Sequence, residues 1–96
     1  MQIKFKLFGF TDMLPDNEAS IALAEGASLK DALEELARKL GDDFRQRLLK
    51  ESGQLHDHIR LVMEGRIVDR LEEKVANETT VFILHEIAGG QDVGSG

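Results

Sequence analysis

The sequence predicts an α+β domain: a mixed sheet of four to five strands with one main helix packed across one face. Three observations predict it. Apolar Ile3, Phe5 and Leu7 alternate with Gln2, Lys4 and Lys6, the period-2 pattern of a half-buried strand. Leu29, Ala32, Leu33, Leu36, Ala37 and Leu40 recur at helical spacing behind a capping Ser28. The run Val81 to Ile87 is apolar at nearly every position and is followed by Ala88-Gly89-Gly90.

Ninety-six residues suffice for one domain with a modest core and leave no room for a second. With 42% hydrophobic and 31% charged residues, the composition is that of a soluble globule and not of a disordered chain. The N-terminus alternates instead of forming an apolar block, so it does not read as a signal peptide, and no apolar run nears the roughly 20 residues that span a bilayer. The expected location is cytoplasmic, with no membrane partner. The chain has no cysteine, so any sulfur chemistry it joins uses sulfur from elsewhere. A net charge of -6 argues against nucleic acid and anionic membranes, which are held by Lys and Arg, and suits a basic protein partner or plain solubility.

The elements follow in order. After the first strand, Gly9 to Asn17 is rich in turn formers, and alternation resumes at Ala19, Ile21 and Leu23, so strands one and two pair as a hairpin with a longer loop. Ser28 caps the helix with Asp31 at the capping-box position, Glu34/Arg38 and Glu35/Lys39 make i,i+4 pairs on its outer face, and Gly41 stops it. A shorter helical stretch from about Asp42 to Lys50 turns Phe44, Leu48 and Leu49 inward, and Glu51 to Asp57 is a loop turning at Gly53. Ile59, Leu61 and Met63 mark a third strand, Glu64-Gly65 a turn, and Arg66-Ile67-Val68 a short return strand. Leu71 to Thr79 is irregular, anchored by Leu71 and Val75. The Val81 to Ile87 run reads as a central strand covered on both faces or nearly so, beside the first strand and parallel to it. This order is that of a ubiquitin-like β-grasp.

The diglycine is the most informative local feature. Without Cβ atoms it stays flexible and fits a channel too narrow for other dipeptides, and a Gly90 carboxylate could be activated inside a partner enzyme. Residues 91–96, Gln91 to Gly96, still cover it.

Taken together, Ile3-Lys4-Phe5-Lys6-Leu7-Phe8-Gly9, Glu25-Gly26-Ala27-Ser28-Leu29, Leu61-Val62-Met63-Glu64-Gly65-Arg66 and the closing Ile87-Ala88-Gly89-Gly90 resemble the MoaD/ThiS sulfur carriers. That family includes the small subunit of molybdopterin synthase and the thiamin sulfur carrier. The resemblance covers residues 1–90, the carrier domain, and leaves 91–96 as a C-terminal extension. It implies a carrier that is not itself an enzyme. An ATP-dependent adenylyltransferase of the ubiquitin-activating type would convert Gly90 to an acyl-adenylate, and a sulfur donor would then give a thiocarboxylate for a sulfur-accepting synthase. Ala88, Gly89 and Gly90 would occupy the partner's channel while the sheet face docks outside. Overall likeness, with the extra stretch from Asp42 to Asp57, favours molybdopterin biosynthesis. The chain departs from the family at His85-Glu86, where prolines often stand, and at Asn77-Glu78-Thr79, where an Asp-Gly turn is usual. The extension implies trimming by a metal-dependent protease of the JAMM type, unless those residues are not native.

Two rivals stay open: a small protein modifier whose Gly90 ends in an isopeptide bond to lysine, and a β-grasp binding module that never exposes Gly90. Neither the His56/His58 pair, which has no supporting ligand nearby, nor exposed Glu72-Glu73 makes a metal or catalytic site. Phosphate-cradling glycine loops and nucleophile elbows are absent.

Overall fold

A computed structural model describes residues 1–9 and 17–85. The expected hairpin loop, Glu86 and Ile87 of the last strand, the tail residues Ala88, Gly89 and Gly90, and the extension 91–96 lie outside the described residues, so the division at residue 90 does too.

Five strands and two helices are formed: β1 (Gln2–Phe8), β2 (Glu18–Ala22), α1 (Leu29–Leu40), α2 (Asp42–Leu48), β3 (Ile59–Met63), β4 (Arg66–Val68) and β5 (Thr80–His85). The sheet order is β2-β1-β5-β3-β4. β1 pairs antiparallel with β2 and parallel with β5, from Lys4 opposite Thr80 to Phe8 opposite Leu84. β3 runs antiparallel to β5, with Ile59 opposite His85, and β4 returns along β3. The last strand is therefore central and beside the first, as the sequence predicts.

The core follows from the two periodicities. Ile3, Phe5 and Leu7, Val81 and Ile83, and Leu61 point to one face of the sheet and are fully buried, meeting Leu29, Leu33 and Leu36 of α1 with Phe44 and Leu48 of α2. Leu40, expected on the same stripe, is only partly buried, because α1 ends there at Gly41.

The ends of α1 are held as the sequence implies. The Ser28 hydroxyl accepts from the Asp31 amide at 3.2 Å and the Asp31 carboxylate accepts from the Ser28 amide at 3.0 Å, a complete capping box. The amides of Leu29 and Lys30 donate to the carbonyls of Glu73 and Leu71, so the irregular 71–79 stretch satisfies helix donors that have no partner inside the helix. The outer face differs from expectation. Arg38 pairs with Glu35, one turn back, while Glu34 reaches Arg45 of α2 at 2.7 Å and Lys39 donates to the Ser20 carbonyl at 2.6 Å. Cross-element partners compete with i,i+4 pairs once α2 and β2 pack alongside, and the hydrogen bond that the Arg45 guanidinium donates to Glu34 raises its pKa.

Candidate functional site: the exit of the central strand and its open face

Gly89 and Gly90 lie outside the described residues, so the site is built from the strand that leads to them. β5 ends at His85 with β1 on one side and β3 on the other. Gly90 is the fifth residue after His85, a reach of at most about 17 Å in extended chain.

The sheet face away from α1 is where sequence and structure part. The Val81 to Ile87 run was expected to be covered on both faces or nearly so; in its described part Val81 and Ile83 are buried, while Phe82 and Leu84 are only half-buried on the other face. No element of the described chain packs over them. The registers place neighbours around them. Glu18, Lys6, Phe82, Val62 and Ile67 form one row across all five strands, and Phe8, Leu84 and Arg60 form the next row toward the tail. At about 4.8 Å per strand, Lys6 to Ile67 spans roughly 14 Å. Phe8 is 49% exposed and Ile67 67% exposed, the two large apolar side chains most open to solvent among the described residues. Phe8 stacks on Phe82 with ring centroids 6.2 Å apart and planes 10° from parallel.

A contiguous apolar patch of Phe8, Val62, Ile67, Phe82 and Leu84 thus lies directly before the tail. Patches of this kind on a small soluble domain mark interaction surfaces. Its rim is basic: Lys4, Lys6 and Arg60 stand on the same face, with Glu18 held 3.7 Å from Lys6 as the counterweight. A net charge of -6 hides this, since most of the described carboxylates stand on α1, α2 and the turns.

Other sequence-level candidates stay separate. His56 Nε2 is 2.8 Å from the Gln46 carbonyl, and Asp57, beside it, is ion-paired to Lys50 at 3.0 Å, which lowers its pKa. Glu73 is paired with Arg66, whose hydrogen bond holds it below the usual carboxylate range, while Glu72 is exposed. His85 is the last described residue of β5 and is half-buried. A concavity of about 650 Å³ lies across the β4 edge between Lys30, Leu55, Arg60 and Arg70, with cations and carboxylates mixed. No described helix is long and apolar enough to cross a membrane.

Comparison with solved structures agrees with this geometry. SAMP1 from Haloferax volcanii superposes with a TM-score of 0.82 at 22% identity over 94% of this chain and 100% of its own. A putative molybdopterin converting factor subunit 1 from Pyrococcus furiosus gives 0.71 at 22% identity, covering 91% and 99%. The BexX/CysO complex of Amycolatopsis orientalis contributes a chain matching at 0.69 and 24% identity, covering 92% and 99%. The fold is the ubiquitin-like β-grasp. No family model matches the sequence, and no curated protein matches it either. At these identities the likeness establishes the β-grasp fold alone, so chemistry has to be argued from residues.

Within the β-grasp, the residues that sequence reasoning missed are those of the open face. A signal was present: Phe8, Phe82, Leu84 and Ile67 are apolar at positions where an alternating strand should be polar. Of these, Phe82 and Leu84 fall in the run read as covered on both faces or nearly so, because periodicity does not say whether the covering surface belongs to the same chain.

Proposed function

We propose that this protein is a sulfur carrier. Residues 91–96 are removed, the freed Gly90 carboxylate attacks the α-phosphorus of ATP on a ubiquitin-activating-type adenylyltransferase, and pyrophosphate leaves. A sulfur nucleophile from a donor then displaces AMP from the acyl carbon, leaving a thiocarboxylate. A synthase subunit accepts that sulfur, with molybdopterin biosynthesis the favoured destination. The carrier supplies no base and no oxyanion hole; it supplies a reactive end on a recognisable body.

The observation that carries the reading is the apolar, basic-rimmed face lying directly before a strand exit whose continuation is Ala88-Gly89-Gly90. A docking face beside a side-chain-free tail is what delivery of a carboxylate into a narrow channel requires. The test is intact-mass analysis of protein from its native host, followed by ATP-pyrophosphate exchange with that host's activating enzyme. A chain ending at Gly90 that supports exchange is expected. Recovery of only the 96-residue chain alongside sulfur transfer would sink it.

Conjugation to lysine is the second reading, favoured by the likeness to SAMP1, the small archaeal modifier protein 1 of Haloferax volcanii. Both readings share the adenylate and diverge at the nucleophile, sulfur or amine. Peptides carrying a Gly-Gly remnant on lysine, found by mass spectrometry of host protein, would decide for the second.

A further inference from the structure

We propose that Gly9 is a positioning residue for the carrier end: by lacking a side chain it lets the end of β1 hold His85, and with it the take-off point of the tail, in one place. This rests on Gly90 being the working end.

The parallel ladder of β1 and β5 closes with Phe8 opposite Leu84, so the next residues, Gly9 and His85, meet where the sheet ends. Gly9 turns the chain with φ +92°, and a Cβ built there would stand 2.8 Å from His85 Cβ and 2.9 Å from the His85 carbonyl oxygen. Those are closer than real Cβ contacts, and one of the colliding atoms is backbone. His85 has little room to retreat, because on its other side it pairs with Ile59 of β3, a core residue. Any side chain at position 9 therefore pushes the end of β5 away from β1, against β3.

Two properties of Gly9 can be separated within this chain. Gly26, Gly41 and Gly65 also have positive φ, at +86°, +106° and +79°, yet a Cβ on any of them would meet nothing within 4 Å. They share the backbone requirement and lack the collision. Gly9 differs by what it faces, and what it faces is the residue from which the tail departs. Gly89 follows His85 by only four residues, so a shift at the root passes to the reacting end, where misplacement of about 1 Å can lower a rate roughly a hundredfold. Phe82 and Leu84 lie earlier on β5 and keep the docking face, so the effect falls on alignment and not on capture.

The experiment compares wild type, Gly9→Ala and Gly26→Ala, each purified from the host after trimming. Amide spectra and hydrogen exchange report on Leu84, His85 and Ile59, and steady-state pyrophosphate exchange gives kcat and KM. Both variants should melt lower than wild type, since each places alanine at a positive φ. Only Gly9→Ala should shift the His85 and Ile59 amides and raise their exchange by about tenfold or more, with kcat reduced about tenfold and KM within about twofold. The double variant Gly9→Ala/His85→Gly deletes the nearest colliding atom and should recover part of both losses. It also serves should the single variant fail to fold. Exchange at His85 no different from that in Gly26→Ala overturns the contact, and so does a double variant with no recovery. A kcat equal to wild type overturns the positioning role, whereas a wild type that supports no exchange overturns the carrier reading beneath it.

Discussion

Leu33 and Leu36 have no exposed surface and belong to the buried apolar cluster. Truncating either to alanine should cost about 2 to 5 kcal/mol in urea unfolding, the range for buried leucines. Losses below about 0.5 kcal/mol would mean the stripe faces solvent. Ser28 is a different kind of residue, exposed and valuable only for the amide it satisfies. Ser28→Ala should lower stability by about 1 kcal/mol. Its partner Asp31 gives the effect a pH signature. Hydrogen bonds from the Ser28 amide and hydroxyl hold the Asp31 carboxyl below its ordinary 3.8, so the folded state favours the charged form. A lowered folded pKa contributes stability that is complete above the ordinary value and fades as pH falls through the lower, folded one. Wild type should therefore lose stability below about pH 4 faster than Asp31→Asn does, measured by urea midpoints across pH 2 to 6. Parallel curves would remove Asp31 from the account.

At the scale of elements, β5 serves two surfaces with one alternating strand. Its odd positions Val81 and Ile83 hold the core, and its even positions Phe82 and Leu84 join Phe8, Val62 and Ile67 on the open face. The two rows should respond oppositely to substitution. Ile67→Ser and Phe8→Ser should change stability by less than about 1.5 kcal/mol, the upper worth of an exposed aromatic pair being about that much, while raising KM for activation about tenfold. Val81→Ala should do the reverse, lowering the melting temperature with KM unchanged in the fraction that stays folded. If Ile67→Ser and Phe8→Ser leave KM untouched, the patch is not where the activating enzyme docks. α1 makes the complementary point. Its inner stripe is fixed by its own periodicity, whereas Glu34 and Lys39 on its outer face bond to α2 and β2. Helix surface pairs are worth only tenths of a kcal/mol, so a neighbouring element readily captures them.

At the scale of the whole molecule, a chain of net charge -6 carries Lys4, Lys6 and Arg60 around a sheet face that no described element covers. Charged encounters of this kind are steered over about a Debye length and weaken with salt. Reversing Lys4 and Lys6 to glutamate should slow association with the activating enzyme and flatten its salt dependence, read by stopped flow from low to high ionic strength, with little change in unfolding midpoint. Faster association instead would mean that the partner surface is basic there, as net charge alone suggests. The diglycine belongs to this scale as well, since it acts only through a partner. Gly89→Val in trimmed protein should melt like wild type and fail in thiocarboxylate formation, because a β-branched side chain adds bulk and stiffens the backbone inside the channel. Normal activation of that variant would favour the binding-module reading.

The sequence by itself determined the strand periodicities, the capped helix, the Glu64-Gly65 turn and the adjacency of first and last strands. The first three rest on local rules: alternation, helical spacing, a hydroxyl three residues before its amide, a left-handed turn residue; the adjacency rests on the apolar composition of the last strand and the order of elements. It also supplied Gly90 as the candidate working end, a reading from residue chemistry that still awaits its test. Only the tertiary structure decided which apolar residues lack a cover, since Phe82 and Val81 are equally hydrophobic and differ by the side of the sheet they occupy. Register decided the rest. It set Phe8, Leu84 and Arg60 in one row, brought Gly9 against His85 across 75 residues of chain, and put Lys4, Lys6 and Arg60 on one face of the sheet, none of which a one-dimensional pattern encodes.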